Sequence, residues 1–319
     1  MGDVLHYRIP NQEKIELTGL FTEVTAEIPE NSFIVSDFQG TTWYSFVPSS
    51  TNSIFHSDIK LPLIISKENY IQQASEIVQE LNTTALEKVV YSRIKEARIK
   101  TTNYKQLFDE LCDRYPATLV YLISSPKFGT WMGASPEQLI VIENGNGSTT
   151  ALAGTKKSDD STPWENKEQT EQAIVTSYLQ EQLKSLNIPI KEMDGPNEFQ
   201  AGPVKHLKTN ILFSSTTISP INIAKKLHPT PAVSGYPKQD ALSYLAKIEA
   251  HNRSLYTGVI GFYATNNTQL FVNLRCCQLE EDRAFIYLGG GFTKDSIPLK
   301  EWEETENKSK TLLNILQNP

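Results

Sequence analysis

The sequence predicts an α+β protein built on large antiparallel sheets, and three observations support this. Strand-like segments follow one another as hairpin neighbours. Helical segments occur in groups and do not alternate one by one with strands, which argues against a doubly wound parallel sheet. No repeat, low-complexity tract or linker divides the 319 residues. We therefore expect one domain over residues 1–319, with residues 1–65 part of the same unit.

The first half of the chain begins with short apolar runs between turn residues, which predict strands over residues 1–60. A helix is expected after Ser66, because apolar residues recur at helical spacing from Tyr70 to Leu81. The β-branched segment that starts at Lys88 predicts a strand. A short helix is then expected at "YKQLFDELCDRY". Four further strands are predicted at "ATLVYLIS", "GTWMGAS", "EQLIVIEN" and "TTALAGT".

The second half opens with a long predicted helix, for which Thr162 is the expected N-cap, with Pro163 at the first helical position and Glu165 closing a capping box. The composition of "GPNEFQAGP" predicts a loop. Helices are predicted at "INIAKKL" and "KQDALSYLAKIEAHNR", around the turn-rich "HPTPAVSGYP". Strands are predicted at "YTGVIGFYA", "TQLFVNLRCCQL" and "AFIYLGGG". A last helix is expected from about Ser296 to Leu316.

Composition excludes several classes of partner. The formal net charge is -7 and no basic run occurs, so we expect neither nucleic acid nor an anionic membrane as a partner, since both require clustered Lys and Arg. The three cysteines, Cys112, Cys276 and Cys277, are too few for a disulfide framework. With no secretory or membrane-spanning segment in the sequence, this predicts a cytoplasmic protein.

Two predicted helices each carry a pair of glutamates three residues apart. Glu168 and Glu171 share one face of the first helix, and Glu301 and Glu304 share a face of the last, with Lys308 one turn further. If these faces converge, their repulsion calls for a divalent cation, and oxygen ligands favour Mg²⁺ over Zn²⁺. The alternative is two solvated faces with a routine Glu304–Lys308 ion pair, and spacing alone leaves it open.

A run of three glycines from Gly289 to Gly291 precedes the last helix and lacks the ending of a nucleotide-binding loop. A structural bend is one interpretation. The other is that backbone amides here hold a carboxylate, so that one ligand with two carboxylates uses both the amides and the metal. Arg275 and Arg253 are candidate cations for that ligand, although surface ion pairs are the common role of such residues.

Several segments together resemble one family, the chorismate-utilising enzymes, which include anthranilate synthase component I, aminodeoxychorismate synthase, isochorismate synthase and salicylate synthase. They are "EKVVYSR", "GASPEQL", "ALAGT", "KEQTEQAIV", "LHPTPAVSGYP", "RSLYTGVIGF", "LFVNLR" and "GGGFTKDSIPLKEWEETENK". They keep the family's order from about residue 66 to the end of the chain. The resemblance implies an α/β sandwich of two large antiparallel sheets flanked by helices.

The same resemblance implies a set of site residues. Glu171 and Glu304 would bind Mg²⁺, supported by Glu168 and Glu301, and the ion would hold the ring carboxylate of chorismate. The implied substrate-binding residues are Gly154, Thr155, His228, Tyr256, Arg275, Gly289, Gly291 and Lys308. Tyr256 and Arg275 would hold the enolpyruvyl carboxylate. The metal is what makes a dianionic ligand compatible with an acidic protein.

Two positions favour one branch of the family. Lys88 stands where the water-adding members resemble one another in having Lys, and Ala153 stands where the aminodeoxychorismate enzymes place an attacking Lys. The resemblance therefore implies an isochorismate synthase, in which Lys88 takes a proton from water that adds at C2 and Glu137 gives a proton to the departing C4 hydroxyl. The alternatives are a salicylate synthase, which goes on to eliminate pyruvate, and a chorismate-binding protein without catalysis.

The sequence also departs from the family pattern. "KKSDDS" follows "ALAGT" where an Arg-Gly pair is frequent, Gln172 replaces a common His, and Ser254 replaces a usual Gly. The N-terminal region is shorter than in typical members. We expect a monomer without a glutaminase subunit, and an isochorismate product used for menaquinone, with siderophore or salicylate synthesis as alternatives.

Overall fold

The computed structural model describes residues 2–57, 61–201, 204–215 and 218–317. The described residues form six helices and sixteen strands. The helices are α1 (Lys67–Thr83), α2 (Tyr104–Arg114), α3 (Asn166–Ser185), α4 (Pro220–Leu227), α5 (Lys238–Ile248) and α6 (Pro298–Leu316). The first eight strands are β1 (Asp3–Arg8), β2 (Ile15–Glu23), β3 (Ser32–Ser36), β4 (Trp43–Pro48), β5 (Lys88–Arg98), β6 (Leu119–Ser125), β7 (Gly129–Ser135) and β8 (Gln138–Glu143). The rest are β9 (Asn146–Lys157), β10 (Ile190–Ala201), β11 (Val204–Ser214), β12 (Gly235–Tyr236), β13 (Val259–Tyr263), β14 (Asn267–Val272), β15 (Cys276–Glu280) and β16 (Arg283–Phe292).

The strands join in one hydrogen-bonded order, β10-β11-β9-β8-β14-β13-β3-β4-β2-β1-β6-β7-β15-β16-β5-β12. Neighbouring strands pair antiparallel, as in β16 against β5 and β9 against β11. One buried cluster contains Phe33 of β3, Ile260 of β13, Trp131 of β7 and Tyr287 of β16. Because these strands lie far apart in the order, the sheet curls back and packs against itself. The predicted α+β class with flanking helices is confirmed, and its two layers are continuous through the ladder.

The helices cover the outer faces of this sheet through apolar stripes. The predicted α1 is confirmed: Ser66 caps it by accepting a hydrogen bond from the Asn69 amide, and Tyr70, Ala74 and Leu81 are buried on one face. Helix α3 buries Leu179 and other side chains over the β9 and β11 end of the sheet. Burial of one such leucine contributes about 2 kcal/mol. None of the described helices combines the length and apolarity needed to cross a membrane.

The start of α3 differs from the prediction. The helix begins at Asn166 with Glu165 as N-cap, and no side chain caps it. Thr162 instead belongs to a turn in which its amide and hydroxyl both donate to Asp160 Oδ1, at 2.9 and 2.7 Å. The predicted capping box is therefore wrong, because Asp160 offers Thr162 a nearer acceptor.

Three strands were not predicted: β10, β11 and the two-residue β12. The segment interpreted as a loop, "GPNEFQAGP", lies mostly in β10, which pairs with β11 at the edge of the sheet. A shift in register between Asp194 and Asn197 accommodates Pro196, which cannot donate to a ladder. The predicted strand "TQLFVNLRCCQL" is divided into β14 and β15. The break lies at Arg275, whose φ of 49° is left-handed.

Candidate active site

The glycine run lies inside a strand and does not form a turn. Gly289, Gly290 and Gly291 of β16 pair with Ser92, Tyr91 and Val90 of β5. A Cβ at Gly291 would lie 2.2 Å from Glu171 Oε1, and one at Gly289 would lie 2.9 Å from the Tyr256 hydroxyl. Glycine is required here because neighbouring side chains occupy the space that a Cβ needs. The sequence interpretation of a bend is corrected, while the strand still ends close to the start of α6.

A pocket forms where strands from the two ends of the hydrogen-bonded strand order approach each other, and we call it the central pocket. Its walls come from β9 and β11 on one side and from β5 and β16 on the other, and α3 and α6 also contribute. Glu171 of α3 and Glu304 of α6 both line it. The carboxylates of the two helices therefore converge, as required if they are to share one cation.

Each of three carboxylates at this convergence is paired with a lysine. Lys88 Nζ lies 2.9 Å from Glu171 Oε1, Lys167 Nζ lies 2.5 Å from Glu301 Oε1, and Lys308 Nζ lies 2.6 Å from Glu304 Oε1. Lys88 is fully buried. Buried carboxylates without partners would be strongly destabilising, so these lysines balance the negative charge.

The electrostatics of α6 reflect this balance. Burial, together with the neighbouring Glu304, raises the pKa of Glu301 even though Lys167 opposes the shift. Burial also acts to raise the pKa of Glu304, but Lys308 and Lys167 outweigh it and hold that pKa below its usual range. Burial acts to lower the pKa of Lys167, yet three surrounding glutamates raise it. The group of side chains thus behaves as one coupled set of charges.

The donor set fits Mg²⁺. Within the described ranges no three acidic, histidine or cysteine side chains form a ready ligand group, and lysines engage three of the glutamates. Two carboxylate oxygens, Glu168 Oε2 and Glu301 Oε2, are nevertheless buried without a hydrogen-bond partner. Unsatisfied carboxylate oxygens are suited to a hard divalent cation. Glu171 and Glu304 would hold it, with Glu168 and Glu301 in support.

Glu137 faces the same pocket and is a buried acid. Its side chain is 5% exposed, and burial raises its pKa to about 7 although Lys88 and Lys308 act in the opposite direction. Glu137 lies two residues after the end of β7. Its own backbone carbonyl accepts a hydrogen bond from the Val272 amide at 3.0 Å. A carboxyl with such a pKa can stay protonated near neutral pH and donate its proton.

The opposite wall of the pocket carries a cation and a phenol. Arg275 lies at the β14–β15 break, and its guanidinium makes no hydrogen bond or ion pair with the part of the chain that is described. Tyr256 is 4% exposed, and burial raises its pKa. A non-glycine residue in left-handed conformation costs of order 1 kcal/mol. The surrounding structure imposes this conformation, in which Arg275 lines the pocket.

The family model described as chorismate binding enzyme matches residues 45–317. The chain belongs to this family of chorismate-binding enzymes.

Individual members show the same relationship. Isochorismate synthase EntC of Escherichia coli (strain K12) is 28% identical over 246 residues, 73% of this chain and 63% of EntC. Isochorismate synthase MenF of Bacillus subtilis is 31% identical over 199 residues, 59% of this chain and 42% of MenF. Anthranilate synthase component 1 of Acetivibrio thermocellus is 24% identical over 270 residues, 79% of this chain and 54% of its own. The chain spans less than two thirds of the length of each.

Solved structures of the chorismate-binding enzymes share the fold. MenF, the menaquinone-specific isochorismate synthase of Escherichia coli, superposes with a TM-score of 0.81 at 19% identity, covering 99% of this chain and 89% of that one. Anthranilate synthase component I of Streptococcus pneumoniae gives a TM-score of 0.70 at 15% identity, covering 98% and 90%. At these identities the likeness shows the fold alone.

The structure brings most of the site residues implied by the family resemblance into one place. Ten of them line the central pocket: Glu137, Gly154, Thr155, Glu171, Tyr256, Arg275, Gly289, Gly291, Glu304 and Lys308. Lys88 lies beside the pocket through its ion pair with Glu171. Glu168 and Glu301 line an adjoining opening that shares Thr155 and Glu304 with the pocket.

His228 does not line the central pocket. Its ring is 3% exposed, and Nε2 lies 2.9 Å from the carbonyl oxygen of Phe38. Burial lowers its pKa to about 4, so the ring is neutral. The prediction that His228 faces the substrate is corrected: the residue ends α4 and ties that end to the segment after β3.

Sequence analysis missed His206, which also lines the pocket. Its Nδ1 lies 3.0 Å from the Gly154 carbonyl oxygen and 3.2 Å from the Thr155 hydroxyl. Burial lowers its pKa to about 4, and Arg275 and Lys308 add to that effect. The alternating apolar pattern of "VKHLKTNILF" could have revealed β11, although nothing in the sequence marks this histidine as part of a site.

Arg253, a candidate for ligand binding, is structural instead. Its guanidinium pairs with Glu249 at 2.6 Å and donates to the carbonyls of Val233 and Val90 at 2.7 and 2.5 Å. Both valines line the central pocket. Arg253 therefore fixes two segments of the pocket wall to each other.

Proposed function

We propose that the chain is a Mg²⁺-dependent isochorismate synthase, an isomerase that converts chorismate to isochorismate. The observation that carries this proposal is the buried carboxyl of Glu137, whose pKa is raised to about 7, facing the same pocket as the Lys88–Glu171 ion pair. A proton donor thus lines the pocket, and an amine lies beside it through its ion pair with Glu171. Named relatives that are isochorismate synthases support the assignment.

The two groups suit the addition of water and the loss of hydroxyl. Lys88 takes a proton from the water whose oxygen bonds to C2 of the ring, and the ring double bonds shift as the C4–O bond breaks. Glu137 gives its proton to the departing C4 hydroxyl, which leaves as water. Water is consumed and released, so the substrate is isomerised without an oxidant or reductant. In the structure Lys88 is ion-paired with Glu171, so Lys88 acts as the base only after this pair separates and its ammonium group gives up a proton.

The charges of the pocket suit a dicarboxylate. Arg275 and Tyr256 would hold the enolpyruvyl carboxylate, and a guanidinium fork matches such a group in two hydrogen bonds. Lys308 reaches the edge of the glycine strand, where its amine donates to the Gly289 carbonyl at 2.8 Å. A bound Mg²⁺ would supply positive charge at the ring carboxylate. The absence of side chains at Gly289 and Gly291 allows the Tyr256 hydroxyl and the Glu171 carboxylate to lie against this strand.

Product analysis tests the proposal. Purified protein is incubated with chorismate and Mg²⁺, with a parallel sample in EDTA, and the products are separated chromatographically. We expect isochorismate in the first sample and none in the second. Salicylate with pyruvate would assign the chain to the salicylate synthases, and bound but unchanged chorismate would assign it to a non-catalytic binding protein.

We also propose that the enzyme acts in the cytoplasm as a monomer without a glutaminase subunit, and that its product enters menaquinone synthesis. The menaquinone-specific MenF structure has the same fold, which is compatible with that use. Deleting the gene should lower menaquinone content, and unchanged menaquinone levels would redirect the product to a siderophore or to salicylate.

A further inference from the structure

The central pocket adjoins two openings of opposite charge. The first, the acidic mouth, lies between the starts of α3 and α6 and is lined by Glu168, Glu301 and Glu304 among others. Its described lining carries six acidic residues and four lysines, a formal charge of -2. It meets the central pocket at Thr155 and at Glu304, which is one of the proposed metal ligands.

The second opening, the arginine cavity, lies on the other side of the pocket. It is bounded by the segment after α2, the last residues of β10 and the C-terminal half of α6. Its volume of about 500 Å³ suits a small organic molecule. It shares Pro136 and Arg275 with the central pocket. Arg275 therefore faces both chambers.

The charge of the arginine cavity is entirely positive. Arg114 and Arg275 are the charged residues of its described lining, which includes no acid. Neither guanidinium makes a hydrogen bond or an ion pair with any residue that the structure describes. Arg114 is exposed at the outer end, while Arg275 lies at the boundary with the pocket. Phe199 and Tyr115 provide apolar surface between them.

We propose that the arginine cavity is the site through which the dicarboxylate substrate enters, binding first at Arg114 and passing to Arg275, while the acidic mouth admits the cation. A protein of net charge -7 repels a dianion at long range. Entry through the acidic mouth, whose described lining has a net formal charge of -2, would add to that repulsion, whereas two unpaired guanidinium groups attract the same ligand. This inference rests on the proposed function for the identity of the ligand.

Association kinetics test the route. Chorismate binding in the presence of Mg²⁺ is followed by stopped-flow tryptophan fluorescence, before turnover, at low and at physiological ionic strength. We expect Arg114→Glu to slow association about fivefold at low salt, with a smaller effect at physiological salt because the charges are then screened. Lys300→Glu makes the same charge change in the acidic mouth and should leave the association rate unchanged.

Two further variants test whether the effect on association comes from a substrate passage through the arginine cavity. Lys247→Glu makes the matched change in the last turn of α5, away from both openings, and controls for net charge. Asn314→Phe narrows the arginine cavity from α6, with Asn314→Ala as its control. If the cavity is the passage, the phenylalanine lowers the association and dissociation rate constants by the same factor and leaves Kd unchanged.

The outcomes distinguish this inference from the proposed function. Equal association rates for Arg114→Glu and the unaltered protein would overturn the route, and so would slower association in Lys300→Glu alone; in both cases the isochorismate assignment would stand. If the unaltered protein bound no chorismate at all, the function and the route would fail together.

Discussion

At the scale of single residues, burial distinguishes the two side chains that we propose as the base and the acid. Lys88 has no exposed surface and Glu137 has 5%, and neither could be assigned from its sequence position alone, because strand-end lysines and turn carboxylates are usually solvated. The family resemblance pointed to both. Their burial could not be predicted, since it depends on strands that are distant in sequence.

Replacing Lys88 with Met should remove the base while filling the same space. We expect kcat to fall by about 10²-fold or more, as is typical for loss of a general base, while Mg²⁺ and chorismate still bind in calorimetry. Lys95→Met on the same strand, whose lysine pairs with Glu306 at 2.5 Å, is the matched control. Wild-type kcat in Lys88→Met would remove the proposed base.

Glu137 should make kcat depend on pH, because the carboxyl must be protonated to donate. The donor form is the protonated carboxyl, and its pKa is raised to about 7 by burial. In a plot of kcat against pH, the contribution of Glu137 is therefore constant below pH 7, and kcat falls about tenfold per pH unit above it. Glu137→Gln should lose that pH dependence and about 10²-fold in kcat. A profile that keeps the same pH dependence in the variant would assign it to another group.

The same carboxyl should affect stability. Since its folded pKa is raised from 4.5 to about 7, folding favours its protonated form, and stability is lost as pH rises between these values. The cost reaches about 3 kcal/mol above pH 7. Glu137→Gln does not ionise, so its free energy of unfolding in urea should exceed that of the wild type increasingly from pH 5 to pH 8. A constant difference would contradict this account.

At the scale of elements, the site depends on how closely α3 and α6 approach β16. Sequence spacing correctly placed each glutamate pair on a helix, but it could not show that the two helices meet. Nor could it locate the start of α3 or detect β10 and β11, because turn chemistry at Asp160 and pairing at the sheet edge override local propensity. His206 was missed together with β11.

Gly291→Ala tests the close packing of α3 against β16. The added Cβ would lie 2.2 Å from Glu171 Oε1, so the carboxylate must move away from the ion it is proposed to hold. We expect Mg²⁺ affinity to fall at least about tenfold in calorimetry, in the range seen when groups that orient metal ligands are disturbed. Gly290→Ala, whose Cβ meets Glu301 Oε2 at 3.3 Å, should have the smaller effect; equal affinities in both variants would contradict the proposed ligand.

At the scale of the whole molecule, the fold class was predictable because hairpin order and grouped helices are local features of sequence. The single curled sheet was not, since it depends on contacts between strands far apart in the order, such as Phe33 of β3 and Tyr287 of β16 in one core. The shape of the central pocket depends on the same contacts. The residues could therefore be named before their arrangement was known.

Metal binding should be visible as global stability. A ligand that binds only the folded chain at 100 times its Kd raises the free energy of unfolding by about 2.7 kcal/mol. We expect urea midpoints to rise with Mg²⁺ and to return to their starting value with EDTA. Glu304→Ala should lose most of this rise, whereas Glu303→Ala, an exposed neighbour on α6, should keep it. Full stabilisation of Glu304→Ala would exclude Glu304 as a ligand.

The continuity of the ladder has a mechanical consequence. The strands that face each other across the pocket, β9 and β16, belong to one sheet and are joined through every strand between them. A clam-like closing of one lobe over the other would have to break backbone hydrogen bonds along that path. We therefore expect reactants to enter and leave through movements of side chains, without a hinged closure of the two layers.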